Sequence, residues 1–246
     1  MGGSKMKRIL LGMLTPSSNT SLEPLVSAMA AEVPGVSAHF GRFRVTEISL
    51  RDQALGQFDE RPILDAARLL ADAKVDVICW NGTSSGWLGL QADESLCRNI
   101  TAATGIAACT SVLALNEILR LTGVRTIGFA TPYIDGIQER IVQTYRNAGF
   151  ETVAEGHLGL SVNWEFSEVT RAQLHGLVAV CAKAKPDAIS TFCTNLRAAD
   201  YVPELEREFG IPIYDTVSTA VWQSLRIAGA ETKRLARWGR LFAEVA

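Results

Sequence analysis

The sequence predicts an α/β protein built twice: two similar Rossmann-like domains, each a parallel sheet flanked by helices, related by pseudo-two-fold symmetry. Three observations predict it. Strand-like runs alternate with amphipathic helices in the order βαβαβαβα, and the whole order then repeats. Such alternation implies parallel sheets with right-handed crossovers. The first strand carries Gly12 and ends in Thr15-Pro16, while the strand that reopens the pattern carries Gly128 and ends in Thr131-Pro132. Finally, VDVICWNGTSS (75–85) and PDAISTFCTN (186–195) share one shape, an apolar run that delivers a polar loop. With Asp76 laid on Asp187, Gly82 falls on Cys193.

In chain order, Lys7 to Leu14 reads as a strand. Ser21 to Glu32 follows as a helix with Leu22, Leu25, Val26 and Met29 on one face, its start capped by Ser18, Asn19 or Thr20. Val36 to Val45 reads as a second strand, and Ile48 to Arg61, polar and irregular, as a lid or entrance loop. Pro62 to Lys74 is amphipathic, with Ile63, Ala66, Ala67 and Leu70 inward. Val75 to Trp80 is a third strand, Asp93 to Thr104 a helix, Gly105-Ile106 the lead into a short strand, and Val112 to Leu121 a helix. The second round gives a strand at 125–131, a helix at Ile134–Ala148, a strand region at Glu151–Leu160, a loop at Gly159–Phe166 and a helix at Ser167–Lys183. The Cys193 strand, a helix at Pro203–Phe209 and a long helix at Ser218–Ile227 complete it. The expected domains are residues 1–116 with 217–246, and residues 117–216, with the active site in the cleft where the strand ends converge.

Composition narrows the class. Hydrophobic content of 48% with 20% charged residues is that of a globular chain able to bury a core without staples. A net charge of −2 gives no sign of a nucleic-acid or anionic-membrane partner. No apolar run reaches the roughly 18 residues that span a bilayer. The opening MGGS reads as a cloning remnant. The stretch MKRILLGML has the charge pattern of a leader but ends at Thr15-Pro16 with no small-residue cleavage site, so it reads as the first strand. Five cysteines without metal-ligand spacing point to a reduced, cytoplasmic protein in which Cys79, Cys97, Cys109 and Cys181 are buried apolar residues. There is no Walker A motif, no G-x-G-x-x-G and no metal-ligand cluster. His39, His157 and His175 have no evident role. The sequence leaves the oligomeric state open.

The chemistry lies in the loops at the strand ends, where open α/β sheets take their ligands. A cysteine such as Cys193, at a strand end before a helix, can have a lowered pKa and act as nucleophile or proton carrier. Thr194 and Asn195 add hydroxyl and amide groups. Gly82-Thr83-Ser84 offers two hydroxyls and open backbone N–H groups, which suit an oxyanion or carboxylate. Gly82 to Gly86 also matches the G-x-S-x-G nucleophile elbow of serine hydrolases, which needs a histidine partner. Ser18 and Asn19 in the first polar loop, Tyr133 in the matching loop of the second half, and Asn163 in the 159–166 loop are further candidates for holding a carboxylate. Trp87 and Trp164 are candidate walls.

At these loops the chain resembles the aspartate/glutamate racemase superfamily, and within it the arylmalonate decarboxylases and maleate isomerases. The carriers are Gly82-Thr83-Ser84, Ala130-Thr131 with Tyr133-Ile134-Asp135, Cys193 with Pro203-Glu204, Glu206-Arg207 and Gly210-Ile211-Pro212, and Arg240-Leu241-Phe242. Racemases and isomerases of this group use two cysteines, one per domain. Here Cys193 is matched by Gly82, the decarboxylase pattern. The resemblance implies a cofactor-independent decarboxylase of substituted malonates or related diacids. Thr83, Ser84 and Tyr133 would stabilise an enediolate, which Cys193 would protonate on one face. By contrast, Pro16 to Thr20 with Glu23, and Asn163, are similar to the maleate isomerases. The alternatives are therefore a maleate cis–trans isomerase or a racemase and, from other classes, a serine hydrolase or a non-catalytic diacid-binding protein.

Overall fold

A computed structural model describes residues 8–245. Residues 1–7, among them the opening MGGS and Lys7, where the first strand was expected to begin, lie outside the described residues, as does Ala246. The first half runs β1 (Ile9–Pro16), α1 (Leu22–Ala31), β2 (Val36–Phe43), α2 (Asp52–Leu55), α3 (Glu60–Asp72), β3 (Val77–Trp80), α4 (Ser85–Leu88), α5 (Leu90–Thr104), β4 (Ala108–Thr110) and α6 (Ser111–Leu121). The second runs β5 (Thr126–Thr131), α7 (Asp135–Asn147), β6 (Glu151–His157), α8 (Arg171–Ala182), β7 (Ala188–Thr191), α9 (Val202–Phe209), β8 (Ile213–Asp215), α10 (Thr216–Ile227) and α11 (Arg240–Glu244). The sheets have matching orders, β2-β1-β3-β4 and β6-β5-β7-β8, and every strand pair is parallel. The repeat read from the sequence is thus a repeat of topology.

Local chemistry explains the elements. β3 (VICW) and β7 (AIST) are buried at every position, as strands covered on both faces must be. The i, i+3, i+4, i+7 set Ile63, Ala66, Ala67 and Leu70 is the buried stripe of α3, and the Asp59 carboxylate caps that helix by accepting from the Arg61 N–H. α8 opens on a capping box made by Thr170 and Gln173. The repeated glycines mark close approach. A Cβ on Gly12 would meet Val75 Cγ2 at 2.9 Å, and one on Gly128 would meet Cys181 Cβ at 2.9 Å.

The short strand β8 follows Gly210-Ile211-Pro212 as the doubled order requires. Three features differ from the sequence expectations. The 48–61 stretch is not wholly irregular: it holds α2, a 3-10 turn at Gly56–Phe58 and the start of α3. β1 runs on through Thr15-Pro16 rather than stopping before them. Residues 232–244, where the sequence shows no clear period, form a 3-10 segment (Thr232–Trp238) and α11.

α10 starts at the end of β8 and lies against α6. There Thr219 Oγ1 donates to the Ser111 carbonyl at 2.8 Å, and Arg226 pairs with Glu117 at 2.7 Å. Each half also buries an aspartate beneath its strand ends. Thr110 Oγ1 donates to Asp93 at 2.5 Å, and Thr191 Oγ1 donates to Asp215 at 2.9 Å. Asp215 in addition caps α10, accepting from the Val217 and Ser218 N–H groups. Burial raises both acids to about 6, against the hydrogen bonds that favour their charged forms. The folded chain therefore holds these protons more tightly than the unfolded chain, and stability falls as pH rises from about 4 to about 6. We predict that Asp93→Asn, neutral at every pH, loses this dependence. The melting temperature of the variant minus that of wild type should grow by several degrees between pH 4.5 and 7, and a constant difference would refute the assignment.

Candidate active site

The loops after β3 and β7 converge on one cavity. It is lined by Gly82, Thr83 and Ser84 from the first half and by Tyr133, Asn163, Cys193 and Thr194 from the second, with Pro16, Val45, Ile48, Phe58, Trp80 and Trp87 completing the wall. A water-sized sphere reaches about 20 Å³ of it. Larger grooves, about 490 Å³ beside Arg171 and His175 and about 360 Å³ beside His157, lie on the outside and contain no thiol.

The hydroxyls cluster on one side. Tyr133 Oη and Thr83 Oγ1 are 2.7 Å apart, and both residues are buried. Burial, then the nearby Cys193, pushes the Tyr133 phenol well above its ordinary pKa, so at neutral pH it is a proton-bearing donor. Trp87 packs edge-on against the Tyr133 ring at 5.3 Å, and Phe166 does so at 5.5 Å, which fixes the phenol in place.

Cys193 is 3% exposed. Its sulfur accepts from the Asn195 N–H at 3.4 Å, and the Tyr133 phenol lines the same cavity. The lowered pKa expected from its place in the sequence is corrected here. Burial pushes the thiol up to about 11 despite those donors, and Asp215 adds to the rise. The physical reason is that no helix starts at the cysteine: α9 begins only at Val202, and desolvation dominates. At neutral pH Cys193 is a thiol with a proton to give.

The remaining predicted residues form a layer behind the cavity that ties the halves together. Thr194 Oγ1 donates to the Asn81 carbonyl at 3.0 Å, and Asn19 Nδ2 donates to Thr194 Oγ1 at 3.2 Å. Asn19 Oδ1 accepts from the Ser21 and Leu22 N–H groups and so caps α1. Asn195 Oδ1 accepts from the Thr20 N–H at 3.0 Å, and its amide donates to the Asn163 carbonyl at 2.5 Å. Ser18 Oγ donates to the Val45 carbonyl at 2.6 Å and accepts from Asn163 Nδ2 at 2.7 Å. Of the predicted set, Gly82, Thr83, Ser84, Tyr133, Asn163, Cys193 and Thr194 meet at the cavity; Ser18, Asn19 and Asn195 stand one layer back. Trp87 is a wall as expected, but Trp164 is 51% exposed and is not.

One reading loses its footing. No histidine lines the cavity: His157 bonds Glu155 and Asp135, His175 bonds Glu208, and His39 meets Ser37. Ser84 therefore lacks the base that a serine hydrolase needs. Among the described residues no cluster of His, Cys, Asp and Glu suits a metal.

Sequence reasoning missed the apolar wall. Val45, Ile48 and Phe58 come from the stretch at 44–58, which is strapped to the second half by an antiparallel bridge between Glu47 and Val162. The Ile48 N–H donates to the Ser161 carbonyl at 2.8 Å, and the Asn163 N–H to the Thr46 carbonyl at 2.9 Å. Apolar residues inside a polar stretch were the one available signal. Chemically, the cavity offers hydroxyl and amide donors for a carboxylate, one protonated thiol, and an apolar wall that strips water from whatever lies against it.

Comparison with known proteins gives the family. A sequence family described as Arylmalonate decarboxylase matches residues 19–242. An arylmalonate decarboxylase from Bordetella bronchiseptica is 31% identical over 185 residues, 74% of this chain and 77% of its own. A maleate isomerase from Geobacillus stearothermophilus is 23% identical over 92% of this chain and 94% of its own. Among solved structures, a maleate isomerase from Pseudomonas putida S16 superposes with a TM-score of 0.87 at 21% identity, covering 98% of this chain and 100% of the other.

Proposed function

The chain belongs to the arylmalonate decarboxylase family, and from that premise we propose that it is a cofactor-independent decarboxylase of substituted malonates or related diacids. The observation that carries this reading is the inventory of the cavity: one thiol, Cys193, and no side chain at the matching position, Gly82. A single protonated thiol can deliver a proton to one face of a planar carbanion, but it cannot supply the pair of groups that a two-sided racemase needs.

In this reading one carboxylate of the substrate is held by Thr83, Ser84 and Tyr133, with Thr194 and Asn163 at the rim. The other lies against the apolar wall of Val45, Ile48, Phe58 and Trp87, where it loses hydration. The bond from the α-carbon to that carboxylate breaks and carbon dioxide leaves. The electron pair passes to the α-carbon and spreads into the retained carboxylate as an enediolate. Its developing charge meets the hydroxyl donors. Cys193 gives its proton to the α-carbon, and the resulting thiolate, disfavoured by burial, recovers a proton from water.

A second reading, cis–trans isomerisation of maleate, has one observation of its own. Asn163, an amide able to grip a second carboxylate, reaches the cavity, and a maleate isomerase is among the relatives. The experiment that separates them is carbon dioxide release from a panel of α-substituted malonates, run beside a maleate-to-fumarate assay. Release that depends on Cys193 supports the decarboxylase. Fumarate formation with no release from any malonate overturns it.

A further inference from the structure

The two halves differ most where they should match best. In the first sheet Trp80 stands between Leu14 and Thr110 in register, and Gly82 follows two residues later. In the second, Thr191 stands between Ala130 and Asp215, and Cys193 follows two residues later. One half therefore pairs a very large side chain with none, and the other pairs a small one with a cysteine. The structure shows that the first pairing is steric. A Cβ built on Gly82 falls within the Trp80 indole, 2.6 Å from Cη2 and closer still to Cζ2 and Cε2. Real Cβ atoms essentially never come that near to another heavy atom. The indole has little freedom to withdraw. Trp80 is 1% exposed, and its indole packs on Phe43 with ring centroids 5.0 Å apart. Trp80, Gly82 and Cys193 all line the same cavity.

We propose that Trp80 is a specificity-determining residue of this site: its indole occupies the space that a side chain at position 82 would need, and so closes the face of the bound acid opposite Cys193. This rests on the decarboxylase reading for its consequence, a product of one handedness, but not for its steric content. The absent second cysteine is then half of a two-residue unit. Restoring a thiol at 82 requires cutting residue 80 back to the size that Thr191 has in the other half.

The test is a double-mutant cycle on the full chain with Gly82→Cys, Trp80→Thr and both together. Two readouts are taken: melting temperature, and enantiomeric excess of the acid formed from an α-substituted malonate. Gly82→Cys alone is expected to melt roughly 5 °C or more below wild type, because overpacking a filled interior is destabilising. Trp80→Thr is destabilising on its own, through the cavity it leaves. The double variant is expected to melt well above the sum of the two losses. Its product is expected to lose handedness, since the thiol introduced at position 82 can give its proton to the enediolate from the second face, its S–H electron pair staying on sulfur until water reprotonates it. A Gly82→Cys variant that melts with wild type, or losses that simply add, overturns the proposal. If no malonate is turned over by wild type, the function reading fails by itself, and the thermal cycle still decides what Trp80 does.

Discussion

Replacing Cys193 by alanine is expected to lower turnover of a substituted malonate by about 10³-fold, the usual contribution of a positioned proton donor. The Michaelis constant should change little, because the thiol makes none of the carboxylate contacts assigned to Thr83, Ser84 and Tyr133. The burial of the site is what makes the effect large. Cys193 is 3% exposed, so little bulk solvent is at hand to take over as acid. A carbanion formed beside trapped carbon dioxide returns to substrate unless a proton arrives first. Cys193→Ser is the informative companion: its hydroxyl keeps the geometry but holds its proton harder, so its rate should fall between those of wild type and alanine. Steady-state carbon dioxide release measures both. A Cys193→Ala enzyme that retains more than about a tenth of wild-type turnover would mean that the proton comes from elsewhere.

Tyr133→Phe carries the second-largest expected effect, a loss of about 10²-fold in kcat, the typical result of removing one donor from an oxyanion site. The phenol sits 2.7 Å from Thr83 Oγ1 and lines the same cavity as Cys193, so it stands between the charge-stabilising and proton-donating groups. Phenylalanine keeps the edge-on packing against Trp87 and Phe166 and leaves the Thr83 hydroxyl without its buried partner. The cost in stability should be about 1 kcal/mol, small beside the kinetic loss. A folded Tyr133→Phe enzyme with unchanged kcat and a raised KM would make the phenol a ground-state binding group only.

The fold was legible because its signals are periodic and repeated. Gly12 with Thr15-Pro16 and Gly128 with Thr131-Pro132 announce two copies of one strand, and the steric reason for the glycines, contact with Val75 and Cys181, is the same in both. Cys193, Gly82, Thr83, Ser84 and Tyr133 were legible because strand-end loops carry chemistry in parallel sheets. What stayed hidden depends on three-dimensional neighbours. A glycine at 82 shows that a side chain is missing but not that Trp80 fills its place. The raised pKa of Cys193 follows from burial, which local sequence does not report. Asp93 and Asp215 read as ordinary acids until their strand-end partners Thr110 and Thr191 come beside them. Asn19 has the chemistry of a carboxylate ligand, yet its oxygen is taken up by the N–H groups that open α1.

The strap between residues 46–48 and 161–163 has a kinetic meaning. Its bridge and its two backbone hydrogen bonds hold Val45, Ile48 and Phe58, the apolar wall of the cavity, against the second half. If the proposed diacid enters and leaves past that wall, capture and escape share one gate, and weakening the strap would quicken both and leave the chemical step as it was.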